Sequence, residues 1–159
     1  MSRRRLNLPG DDLSEEIGGF VAELARTADL SHRRAYWLRL AVDEIVTNIA
    51  DHGYHGGPGT VELIGDLDCD RVQVRILDGA PAFDPRSYDP SERLDVAPAE
   101  RELGGHGLML ALGQVDEFDY ERSNEQNENV LIMNRSSCGG EPDRSTGGND
   151  GRHPGTDRR

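Results

Sequence analysis

Glu44 and Asn48 lie four residues apart in the stretch Asp43-Glu44-Ile45-Val46-Thr47-Asn48, and on a helix that spacing turns both side chains the same way. A carboxylate so placed can take a proton from an attacking hydroxyl. The amide oxygen of Asn48 is a hard, neutral ligand of the kind Mg²⁺ accepts while it bridges phosphate oxygens. The same pair also decorates many solvated helix faces, where it does no chemistry. Further along, Asp78-Gly79-Ala80-Pro81-Ala82-Phe83-Asp84-Pro85 follows the alternating run Val72 to Leu77. An Asp that ends a strand and opens a turn of small residues can accept a hydrogen bond from an exocyclic amine such as that of adenine. It can equally bond its own turn. Gly104-Gly105-His106-Gly107-Leu108 then leads into an apolar segment. Free backbone N–H groups at a helix start, with glycines permitting close approach, make an anion site that needs no lysine; the plainer reading is a hinge.

The elements that must position these groups are readable from periodicity. Arg4 to Leu8 reads as a short edge strand. Asp12 with Glu15 has capping-box spacing, and Ile17, Phe20, Val21, Leu24 and Ala25 recur at helical intervals, which predicts a helix from about Asp12 to Ala28. Ser31 caps a second, ending near His52 before Gly53 and the Gly56-Gly57-Pro58-Gly59 cluster. Leu38, Val42, Ile45 and Ile49 form its core stripe. Beside it run Trp37, Ala41, Glu44, Asn48 and His52, a stripe that begins apolar and turns polar, as the floor of a pocket would.

Thr60 to Leu67 and Arg71 to Leu77 alternate and predict an antiparallel pair about Asp68-Cys69-Asp70. A connection of weak periodicity from Asp78 to Gly104 holds four prolines and reads as a functional lid or as disorder. Leu108 to Val115 reads as a short helix, and Glu117 to Arg122 with Asn129 to Arg135 as a closing hairpin about a polar turn, Ser123 to Glu128. The order implies an α+β fold, a two-layer sandwich with helices on one face of a mainly antiparallel mixed sheet. Residues 1–135 form this domain; 136–159 contain no large aliphatic or aromatic residue and read as a disordered tail.

Composition narrows the chemistry. The chain has 159 residues, a net charge of −12 and 18 basic residues, every one an Arg. The absence of lysine excludes P-loop nucleotidases, ordinary protein kinases and Schiff-base enzymes. The acidic balance argues against nucleic acid as a partner and suits a basic protein, or serves solubility alone. Two cysteines supply neither a disulfide framework nor a thiolate metal cage. Arg3-Arg4-Arg5 is followed by Leu6-Asn7-Leu8-Pro9, not by the apolar core of a signal peptide. A cytoplasmic protein with no membrane span is expected.

The three motifs in this order resemble the GHKL ATPases, whose Bergerat ATP-binding fold is shared with histidine kinases and type II topoisomerases. Within them the chain is most similar to the anti-sigma-factor serine-protein kinases. Ala41 through Asn48, continued by Asp51-His52-Gly53-Tyr54, resembles the family's N-box; Asp78 through Pro85, with its Phe83-Asp84-Pro85 ending, the first glycine box; Gly104 through Leu108 the second. Asp116-Glu117-Phe118-Asp119-Tyr120 and Asn129-Val130-Leu131 resemble the last strands.

The resemblance implies ATP and Mg²⁺ as cofactors, Asn48 as the Mg²⁺ ligand and Glu44 as the general base. Asp78 would bind the adenine amine, with Ala80, Gly104, Gly105, His106, Gly107 and Leu108 also at the nucleotide. It implies a serine/threonine-protein kinase that restrains a sigma factor and phosphorylates an anti-anti-sigma antagonist, as a homodimer. The family's usual glycine two residues after the adenine-binding Asp is Ala80 here, and alanine resists positive φ. That departure keeps open an alternative, a degenerate regulatory module that controls a partner by binding alone.

Overall fold

Alternating side chains build the sheet. In the computed structural model, which describes residues 1–87 and 104–135, β1 (Ser2–Leu8), β2 (Gly59–Leu67), β3 (Arg71–Asp78), β4 (Glu117–Ser123) and β5 (Gln126–Asn134) form one five-stranded sheet in the order β1-β2-β3-β5-β4. Every pairing is antiparallel, so the mixed sheet expected from sequence is wholly antiparallel among the described residues. One face turns Leu6, Val61, Leu63, Val72, Val74, Ile76, Leu131 and Met133 into the core. The other carries ion pairs, Arg3 with Glu62 at 3.1 Å and Arg75 with Asp66 at 3.7 Å and Glu128 at 3.4 Å, around the buried Ile64 and Ile132.

Among the described residues three α-helices cover the inner face: α1 (Leu13–Thr27), α2 (His32–Asn48) and α3 (Gly104–Leu112). Ile17, Phe20, Val21 and Leu24 of α1 and Leu38, Val42, Ile45 and Val46 of α2 are buried against it, each contributing about 1.5–3 kcal/mol relative to exposure. A Cβ on Gly65 would stand 3.0 Å from Leu24 and 3.1 Å from Phe20, so the bare strand lets α1 cross it closely. A Cβ on Gly18 would stand 2.9 Å from the guanidinium carbon of Arg39, the end of a flexible side chain that can move aside.

Several boundaries differ from the sequence expectation. Asp12 makes no capping bond because its backbone (φ −112, ψ 22) is not the extended one a cap requires. Ser31 does cap α2, accepting from Arg34 N–H at 3.3 Å. The α-helical part of α2 stops at Asn48, and the chain continues as a π turn, Ile49–Gly53. α3 begins at Gly104 rather than Leu108 and ends before Val115; glycines score poorly as helix formers, which displaced the expected start. β5 begins at Gln126, and the hairpin turn shrinks to Asn124 and Glu125, at φ 49 and 63. Of the expected lid, Asp78 to Gly104, residues 88–103 lie outside the described residues, as does the expected tail, 136–159. No described helix is long and apolar enough to cross a membrane.

Candidate functional site

The inner face of the sheet changes character at one end. Val72, Val74 and Ile76 lead to Asp78, while Leu131 and Met133 are preceded on the same face of β5 by Asn129 and Asn127. Asp78 and Asn127 are direct cross-strand partners, and all three polar residues are at most 3% exposed. Asp78 Oδ1 accepts from Asn127 Nδ2 at 2.8 Å and from Ala80 N–H at 2.9 Å. Its second oxygen, Oδ2, is buried with no hydrogen-bond partner, and so is Asn129 Oδ1. A buried acceptor left unpaired costs about 1–3 kcal/mol. Burial accordingly raises the Asp78 carboxyl above its ordinary range, against the pull of Asn127, the Ala80 N–H and the Arg122 charge.

The segment after β3 is stitched to the β4–β5 hairpin. Asn127 Nδ2 also donates to Ala80 O at 2.9 Å, and Arg122 Nη1 donates to Ala80 O and to Asn127 Oδ1, both at 2.8 Å. Tyr120 O–H donates to Asn127 Oδ1 at 2.7 Å and accepts from Phe83 N–H at 3.2 Å. Beyond it Arg86 pairs with Asp84 at 2.8 Å and lies over the Phe118 ring, its carbon 5.7 Å from the centroid.

A narrow pocket opens under this segment. Ile45, Asn48, Ile49 and Gly53 line it from α2 and the π turn, Ala80, Pro81, Phe83 and Pro85 from the segment after Asp78, and Asp78, Asn127 and Asn129 from the sheet. Its free volume is about 10 Å³, room for about one water, so a planar ring enters only as the proline-rich wall yields. The π turn matters here, because its wider winding brings Gly53 against Ala80: a Cβ on Gly53 would stand 2.7 Å from the Ala80 methyl. Ala80 itself is not among the residues at positive φ. The strain expected of an alanine in a glycine position is therefore absent, and the missing Cβ at Gly53 makes room for the methyl. Tyr54 ties the turn down, its hydroxyl donating to Thr60 O at 3.1 Å and accepting from Gly79 N–H at 3.0 Å.

Asn48, Asp78 and Ala80 thus share one pocket. Glu44 stands one turn earlier on α2 and meets α3: a Cβ on Gly107 would lie 2.5 Å from Glu44 Oε1. Burial, with the neighbouring Asp43 charge, raises the Glu44 carboxyl above its ordinary range. Gly104 and Gly105 fall in the first turn of α3, whose N–H groups have no intrahelical partner. The His106 side chain lies outside the described residues. Leu108 is fully buried in the core, so it can offer a ligand its backbone only.

Sequence reasoning missed Asn127 as a site residue, met Gly53 only as a helix stop and within the N-box resemblance, and met Tyr120, Arg122 and Asn129 only as parts of strands. Asn127, Asn129, Leu131 and Met133 do keep the two-residue period of one strand face. That period was the signal available.

A family model described as a histidine kinase-like ATPase domain matches residues 11–135. The chain belongs to that family. Comparison with curated proteins finds no match.

Proposed function

We propose that this domain binds ATP with Mg²⁺ and acts as a protein serine/threonine kinase that restrains a sigma factor and phosphorylates an anti-anti-sigma antagonist. The observation that carries the nucleotide reading is Asp78 Oδ2, a buried carboxylate oxygen without a donor, on a residue that lines the slot walled by Ile49, Pro81 and Phe83. An unpaired acceptor there fits the donor of a base amine. When bound, ATP supplies the phosphoryl group and Mg²⁺ neutralises its charge.

The remaining roles belong to the chain. The apolar walls exclude water from the base. Asn48, on the α2 side of the pocket, offers a neutral oxygen to the metal. The N–H groups of the first turn of α3 hold phosphate oxygens without a lysine. Glu44, half-buried and with its carboxyl raised by burial, takes the proton of the attacking hydroxyl, since a base works best when its pKa approaches the working pH. A net charge of −12 favours partners with basic surfaces.

Labelled ATP, the purified protein and a candidate antagonist should yield acid-stable phosphoserine or phosphothreonine. Glu44→Ala should abolish transfer and spare nucleotide binding; undiminished transfer would remove Glu44 from the mechanism. The narrowness of the pocket favours a second reading, regulation by binding alone. Nucleotide binding without any transfer to the antagonist would select it.

A further inference from the structure

The two oxygens of Asp78 are in unequal states, and Asn127 makes them so. Oδ1 is filled by Asn127 Nδ2 at 2.8 Å and Ala80 N–H at 2.9 Å, while Oδ2 is buried and free. Asn127 is not free to turn over. Its own oxygen accepts from Tyr120 O–H at 2.7 Å and Arg122 Nη1 at 2.8 Å, which holds its nitrogen toward Asp78. Resting on the nucleotide reading above, we infer that Asn127 is the positioning residue that selects adenine over guanine, by closing one oxygen of Asp78 and leaving a single acceptor for a single amine.

A carboxylate with both oxygens free accepts two parallel N–H groups side by side, which is what the ring N–H and exocyclic amine of guanine present. Adenine presents one amine beside an unprotonated ring nitrogen. With Oδ1 filled, guanine would bury one donor unpaired, the kind of mismatch by which sites discriminate most strongly. Asn129 does not restore the missing acceptor. Its strand partner is Ile76, so it stands diagonally from Asp78, with backbones about 7–8 Å apart, whereas the guanine donors are adjacent. Ala80 N–H still occupies part of Oδ1 when Asn127 is removed, yet the lone pair that Asn127 used becomes available.

The test is calorimetric titration of the full chain with ADP and with GDP, for the unaltered protein, Asn127→Ala and Tyr120→Phe, each checked for folding by circular dichroism. The unaltered protein should prefer ADP. Asn127→Ala should lower the ADP-to-GDP affinity ratio about tenfold, with GDP binding weakened least or strengthened. Tyr120→Phe, which only loosens the amide, should lower the ratio by a smaller factor and serves as the probe if Asn127→Ala fails to fold. Equal weakening toward both nucleotides, with the ratio unchanged, would make Asn127 a merely structural residue and overturn the inference. Equal affinity of the unaltered protein for both would overturn it while leaving nucleotide binding intact. Binding of neither would overturn the nucleotide reading, and the assignment with it.

Discussion

Gly53→Ala tests the packing that shapes the pocket. The added methyl would stand 2.7 Å from the Cβ of Ala80, where carbon atoms rest at about 3.5–4.0 Å, so roughly 1 Å must be found. Neither atom is the tip of a flexible chain. The π turn is held by Tyr54 N–H to Ile49 O and Gly56 N–H to Ala50 O, both at 2.9 Å, and Ala80 by bonds at both its amide and its carbonyl. Overpacking of this kind costs about 1–3 kcal/mol, offset by about 0.4–1 kcal/mol from a stiffer unfolded chain. A net loss of about 1–2 kcal/mol follows. Ala80→Gly alone should cost less than about 1 kcal/mol, and the double variant should recover most of the Gly53→Ala loss, because one methyl then occupies the space of one. Urea unfolding of the four proteins gives the coupling directly. Additivity within about 0.5 kcal/mol would refute the contact.

Other consequences follow from the same geometry. Gly107→Ala directs a methyl at Glu44 Oε1 from 2.5 Å; the carboxylate can swing away, so stability should change by under about 1 kcal/mol, whereas under the proposed mechanism displacement of Glu44 by about 1 Å should lower kcat roughly 100-fold with KM nearly unchanged. The Asp78 carboxyl titrates higher in the native chain than its ordinary 3.8, so the native state holds more protons and stability falls as pH rises from the ordinary value through the native one. Asp78→Asn should therefore melt like the unaltered protein near pH 3.5 and be more stable at pH 7 by about 1 kcal/mol, and an advantage that shrinks with rising pH would contradict this. Tyr54→Phe removes the hydroxyl between Gly79 and Thr60 and should cost about 1 kcal/mol in a thermal melt, with weaker nucleotide binding.

Most of the fold lies open in the sequence because its strands and helices bury one clean face. The alternation of Val61, Leu63, Val72, Val74 and Ile76 locates β2 and β3 within a residue or two, and the stripe Leu38, Val42, Ile45 locates α2 and its start, though its α-helical part ends at Asn48, four residues before the expected His52. The errors fall where the inner face is polar. Asn127 and Asn129 occupy core-facing strand positions, and a search for apolar alternation leaves Asn127 in the turn and begins the strand only at Asn129. The π turn is equally silent, because the reason for Gly53 is Ala80, a residue distant in sequence whose methyl occupies the space beside it. Asp78, Asn48 and Glu44 stand out by residue type and spacing. The network that leaves one carboxylate oxygen free depends on cross-strand register, which local patterns do not carry.

In the proposed function a buried, donorless oxygen of Asp78 receives the nucleotide base. Calorimetric titration of Mg-ATP into the unaltered protein and into Asp78→Asn tests it most directly. Saturable binding that weakens about 10- to 100-fold in the variant, although the variant is the more stable protein at pH 7, is the predicted result. Equal affinity in the two proteins, or no heat from the unaltered protein up to millimolar ATP, would contradict it.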